Sequence, residues 1–261
     1  MPFTVELNDA VDAGIDAIEH LYYILKGCSD KETEITEAII NKELRFWDAM
    51  DHLILTYNDT TAQKTFQQLR DKNTYVVPTL HIGDVLSFLD EVDHANDPYL
   101  KIIGKGIIQT YSGRITRALS SSDKAKKSRK ELNLFFKKLV KSLNDSGVKL
   151  LAGSDSGAYN SYTYSGISLH KEMEAMVTAG LSPIEALRTS AYHGSQYLNK
   201  DQNTGTIQVG KISDLVILNT NPLLDIKNTR DIYSVVKGKQ IYDPKKITKQ
   251  YNCSECFSLT K

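Results

Sequence analysis

Twice in this chain a short apolar run ends on a polar group and is followed by helical sequence. Ile15-Asp16-Ala17-Ile18-Glu19-His20 reads as a strand that closes on a histidine. Val148-Lys149-Leu150-Leu151-Ala152 reads as another, with Gly153-Ser154-Asp155-Ser156-Gly157 at its carboxyl end. Strands that alternate with helices must run parallel, because each helix carries the chain back across the sheet. Two such repeats predict a piece of a (β/α) barrel, in which reactive groups gather at the carboxyl ends of the strands. Tyr75-Val76-Val77-Pro78-Thr79-Leu80 fits the same scheme as a strand leaving its sheet at a proline.

The intervening helices are marked by period and by caps. Leu132, Phe135, Phe136, Leu139, Val140 and Leu143 recur at helical spacing opposite lysines, and Gly147 suits a left-handed cap. Helical patterns also cover Asn8–Ala13, Ser29–Tyr57, Thr61–Leu69 and Ser168–Ala179. Ser182-Pro183-Ile184-Glu185 carries a capping serine, a proline in the first helical position and a glutamate placed for a capping box. Ile82–Ala118 is mixed, mostly helical and long for a connection. After Leu198 short strands are expected at Thr206-Ile207, Leu215–Leu218, Ser234–Val236 and Gln240-Ile241, separated by Gly-Lys and Asn-Pro turns. The expected organisation is a barrel portion over 1–200, β-sandwich strands over 201–246 and a polar tail over 247–261.

Charge balance narrows the partners. With 32 Lys+Arg against 32 Asp+Glu the net charge is zero, which argues against nucleic acid or an anionic membrane as partner. No apolar run approaches the roughly 18 residues of a membrane span. The first twenty residues carry five acidic groups and no basic one, unlike a signal peptide, so a cytoplasmic location is expected. Three cysteines are too few for a disulfide scaffold.

His20 at a strand end can present a neutral imidazole to a metal or simply bond a neighbouring carbonyl. Asp155, between two glycines after an apolar strand, can ligate metal or act as a base, or can serve the turn. His81 follows a strand end and is a weaker candidate. His170 in a first helical turn can face a substrate anion or be solvated. His193 reads as packing, and His52 and His94 as surface residues. Cys253-Ser254-Glu255-Cys256 has redox or half-zinc spacing with no second ligand pair near it, and reads as part of the polar tail.

Gly14–His20, Leu151–Asp155 and Leu169–Leu187 occur in an order and spacing that resembles the amidohydrolase superfamily, in its imidazolonepropionase-like and prolidase-like branch. Gly205-Thr206-Ile207, Gly210–Leu218, Asn221-Pro222-Leu223 and Val235–Lys239 fit as well, so the resemblance runs from Pro2 to about Tyr242. It implies a metal-bearing (β/α)8 barrel with a small β-sandwich, one or two divalent ions such as zinc, and hydrolysis of dipeptide or other C–N bonds. By position it implies that His20 and Asp155 ligate metal and that Asp155 also shuttles the proton, while His81 and His170 stay substrate-binding candidates on their own local positions. The superfamily's His-x-His, its strand-four bridging residue and its strand-five histidine have no counterpart here. The chain is therefore expected to be a C-terminal portion, inactive without the N-terminal half of the barrel or a second copy. The alternative is a non-catalytic binding or structural remnant.

Overall fold

The computed structural model describes residues 2–251. α1 (Leu7–Asp12) leads into β1 (Ala17–Glu19), and α2 (Leu21–Gly27), α3 (Glu32–Ile40), α4 (Phe46–Leu55) and α5 (Asp59–Asp71) carry the chain back. β2 (Tyr75–Val77) then lies parallel to β1, with Ala17 opposite Tyr75, Ile18 opposite Val76 and Glu19 opposite Val77. A third parallel line beside β2 is shorter than the sequence predicts. It makes one bridge, Leu150 to Val76, with Val76 N donating to Lys149 O at 3.0 Å and Leu151 N to Val76 O at 2.9 Å.

Between β2 and that line run α6 (Leu80–Ser87), a 3-10 turn at Pro98–Ile102, α7 (Lys105–Gln109), α8 (Ser112–Ser120) and α9 (Asp123–Asp145). α9 forms as its period demands. Ser122 caps it, Leu132, Phe136, Leu139, Val140 and Leu143 are buried, and Gly147 follows at φ 78°. α10 (Ile167–Thr178), α11 (Pro183–Ser190) and α12 (Tyr192–Tyr197) follow the third line. All three residues of β2 are buried, and Ile18, Val76 and Leu150 join Leu21, Leu53, Phe66, Leu69, Val140 and Met176 in one core. Helices thus enclose strands that are apolar on both faces, as parallel sheets require.

β3 (Leu215–Leu218), a 3-10 turn at Ile226–Arg230, β4 (Ile232–Lys237) and β5 (Gln240–Tyr242) follow, and the strands form an antiparallel sheet in the order β3-β4-β5. Thr206-Ile207, expected as a strand, lies in irregular backbone among turns, where a Lys211 ammonium collects Asp201 O, Thr204 O and Thr206 Oγ1. α13 (Pro244–Tyr251) makes the start of the expected polar tail helical. Cys253 and Cys256 lie outside the described residues. The small sheet is fastened to α10 by Arg230 to Glu174 at 3.0 Å and by His170 to Thr229 at 3.0 Å. No helix among the described residues is long and apolar enough to cross a membrane.

Candidate active site

The carboxyl ends of the three parallel lines share one backbone peculiarity. His20, Thr79 and Asp155 all have positive φ, at 68°, 53° and 48°. Non-glycine residues pay strain for that conformation and persist in it where the surroundings over-determine them. Here the surroundings are one another. His20 Nδ1 lies 2.8 Å from Thr79 Oγ1, and His20 Nε2 lies 4.0 Å from Asp155 Oδ2. Gly153 lets the third line approach this closely, since a Cβ there would stand 2.4 Å from Val77 Cγ1.

Hydrogen-bond accounting assigns the tautomer of His20. The single hydroxyl proton of Thr79 goes to Pro78 O at 2.7 Å, so Thr79 Oγ1 accepts from His20 Nδ1–H. With Nδ1 held by Thr79, His20 turns Nε2 toward the Asp155 carboxylate, and the 4.0 Å between them leaves room for a positive centre, a proton or a cation. Both side chains are about one-third exposed, 32% and 34%, so the pair opens to solvent.

The loop after Asp155 is anchored from the long connection. Asn160 Nδ2 donates to Asp155 O at 2.7 Å, and Arg114 Nη2 donates to Asn160 Oδ1 at 2.9 Å. Tyr22 flanks the pair, its ring 6.2 Å from that of His20. Burial raises its phenol, Arg114 opposes the shift and Asp155 adds to it.

The other histidines go elsewhere. His81 opens α6 two residues beyond Thr79, where burial lowers its imidazole and Asp84 pulls the other way. It makes no hydrogen bond or ion pair with His20 or Asp155. His170 donates from Nδ1 to Thr229, whose own proton goes to Ile226 O at 2.8 Å. His193 donates to Leu150 O at 2.9 Å, a packing role. His94 is not the surface residue its charged neighbours suggest. It stacks on Tyr162 at 4.3 Å and pairs with Asp97 at 3.0 Å, an acceptor it shares with the Tyr164 hydroxyl.

A metal tests the donor set. His20 is prepared for one, since an Nδ1–H held by an acceptor leaves Nε2 free to ligate. A catalytic zinc, however, takes about three protein ligands and an open position. No group of three or more His, Cys, Asp or Glu side chains among the described residues meets that requirement. The pair alone does not make a metal site. Thr79 escaped sequence reasoning because its partner is 59 residues away, although a threonine directly after a strand-ending proline was the available signal.

Comparison with known proteins places these features. The profile of the amidohydrolase family matches residues 81–242, which include Asp155 but not His20. No curated protein matches the chain. Among solved structures it is similar to a bottromycin amidohydrolase, with a TM-score of 0.60, 17% identity and coverage of 95% of this chain and 50% of that one. It is also similar to a Xaa-Pro dipeptidase with methionine bound in its active site, at TM-score 0.56 and 18% identity, covering 90% and 41% of the two chains. An ochratoxinase of A. niger gives 0.52 and 16%, covering 90% and 38%. The likeness is one of fold, and the chain spans half or less of the length of these three structures.

Proposed function

The chain belongs to the amidohydrolase family, and from that premise we propose that it is the portion of a C–N bond hydrolase that carries the proton-handling carboxylate. Asp155 is the proposed proton carrier and His20 the proposed imidazole donor beside it. The observation that carries this reading is their approach to 4.0 Å at the carboxyl ends of parallel strands, Nε2 of the one facing Oδ2 of the other. In the proposed reaction a water oxygen bonds to the carbonyl carbon of a dipeptide or cyclic amide. Asp155 takes the water's proton and returns it to the leaving nitrogen as the C–N bond breaks. His81, beside Thr79, is the candidate for substrate contact, whereas the bond from His170 to Thr229 favours a fastening role.

Family members generally use divalent metals, and zinc is the candidate here. His20 and Asp155 contribute two donors toward it, and the remaining donors belong outside the described residues. We therefore read residues 1–200 as part of a barrel and the β3-β4-β5 sheet as part of a sandwich, both completed by further polypeptide. The donor count also favours a second reading, a binding protein without catalysis.

Zinc content by mass spectrometry and hydrolysis of a dipeptide and cyclic-amide panel separate these readings. The chain alone is expected to hold little zinc and hydrolyse nothing. Co-expressed with a polypeptide supplying the complementary strands, it is expected to bind zinc stoichiometrically and turn over substrate, with Asp155→Asn lowering the rate by about 100-fold or more. Zinc-free, inactive complexes would establish the binding reading. Activity of the lone chain, abolished by Asp155→Asn, would overturn the assignment of missing donors.

A further inference from the structure

We infer that Glu172 is a positioning residue that sets the tautomer and direction of His20 by fixing the turn from which Thr79 holds it. Glu172 sits on α10 with its side chain fully buried, in the Leu169–Leu187 string for which the proposed chemistry has no other use. Its Oε1 accepts from Leu80 N at 2.9 Å and its Oε2 from His81 N at 2.7 Å. These two amides open α6, where the first turn of a helix has no carbonyl partners of its own.

The arrangement divides two tasks that one residue would ordinarily combine. Thr79 stands at the N-cap of α6, and a threonine there normally turns its hydroxyl onto the amides that follow. It makes no such bond here. Its hydroxyl is instead committed to Pro78 O and to His20 Nδ1. Glu172 caps the helix in its place, from a segment 92 residues away, and so leaves Thr79 Oγ1 free to face the imidazole.

Two further observations favour a dedicated role over simple packing. A buried carboxylate is costly to retain, and Glu172 has no ion-pair partner among the described residues, so burial lifts its carboxyl to about 7. Only a carboxylate offers an acceptor on both oxygens, which is what two neighbouring amide donors require. An isosteric amide would turn an NH2 toward one of them. The Thr79 backbone is also held in a left-handed conformation (φ 53°, ψ 47°) that a β-branched residue adopts only under constraint.

The test reads the tautomer by two-bond 1H–15N correlation of the histidine imidazoles in the metal-free chain, above about pH 8, where Glu172 is a carboxylate. Wild-type His20 is expected as the Nδ1–H form. Glu172→Gln and Thr79→Val are expected to shift it toward Nε2–H, and Thr79→Ser to preserve it. His193, whose Nδ1–H is held by Leu150 O, should be unmoved in every variant and serves as the internal reference. Should Glu172→Gln fail to fold, Glu172→Asp, one methylene short of the two amides, replaces it with the same expected shift. A folded Glu172 variant in which His20 keeps the wild-type form, or a wild type that is Nε2–H, overturns the inference. The importance of His20 rests on the proposed function, but this readout needs neither metal nor turnover. A protein without hydrolase activity can therefore still pass or fail it.

Discussion

Lys26 carries its ammonium into the core and donates all three protons there. Phe3 O accepts at 2.8 Å, Val5 O at 2.6 Å and Thr36 Oγ1 at 3.0 Å. Glu32 stands 4.0 Å away and accepts Leu7 N at 2.6 Å, which caps α1 from a distant helix. Burial lowers the lysine and raises the glutamate, and each charge opposes the other's shift, with the Leu7 amide also holding the glutamate down. The consequence reaches the site, because the segment so tethered leads through α1 into β1 and its terminal His20. Lys26→Met should cost about 3–5 kcal/mol, since it leaves Glu32 without its cation and the Phe3 and Val5 carbonyls without their donor. Lys26→Met with Glu32→Gln should recover part of that loss, as expected of groups in one network. Urea unfolding of the two variants measures both, and a single-variant loss below about 1 kcal/mol would refute the tether.

At the scale of elements, α11 is held by the capping box that its sequence announces. Ser182 N donates to Glu185 Oε2 at 2.7 Å, and the serine hydroxyl accepts Glu185 N. Asn144 of α9 donates to Glu185 Oε1 at 3.0 Å, so the cap also joins two helices. The Ser182 hydroxyl, the Ser182 amide and Asn144, in that order, hold the Glu185 carboxyl at about 2, against an ordinary value of 4.5. A depressed carboxyl stabilises the fold above its ordinary value and loses that contribution as pH falls through the depressed one. Ser182→Ala should cost about 1 kcal/mol at neutral pH. It should also show a smaller drop in Tm than wild type on acidification from 4.5 to 2. Equal acid sensitivity of the two proteins would count against the cap as the cause.

This helix was legible because its signals lie within four residues, as was α9 with its period and glycine stop. The strand ends were half legible. His20 and Asp155 declared themselves by residue type after apolar runs. Thr79 and Glu172 did not, because their partners lie 59 and 92 residues away and neither local motif names them. The third parallel line shrank to a bridge because Gly153 and the Asp155 turn follow so closely. Thr206-Ile207 has β-branched residues but, among the described residues, no strand beside it to pair with. Propensity supplies a candidate strand, and pairing decides.

At the scale of the whole molecule, apolar surface and open edges coincide. Within the described residues β1 and the 149–151 line each have β2 on one side and no strand on the other. The small sheet is similarly open beyond β3 and β5. On it Ile241 is 75% exposed, and Val216, Ile217, Tyr233 and Tyr242 are exposed too. Single exposed apolar residues are ordinary, but a cluster on an open-edged sheet marks a contact surface or an aggregation liability. If the proposed complementary polypeptide covers these surfaces, the lone chain should bind a hydrophobic dye strongly. It should also scatter light increasingly with concentration. Adding the complement should quench the dye signal and raise Tm in proportion to its excess over Kd, because a ligand that binds only the folded state stabilises it. Charged substitutions at Val216 and Tyr242, both opposite Val235 and on one face of the sheet, should lower the dye signal of the lone chain and weaken complementation together. A lone chain that is monomeric, melts cooperatively and leaves the dye dark would mean that these faces need no cover. The reading of the chain as one part of a larger barrel would then fail, whatever the fate of His20 and Asp155.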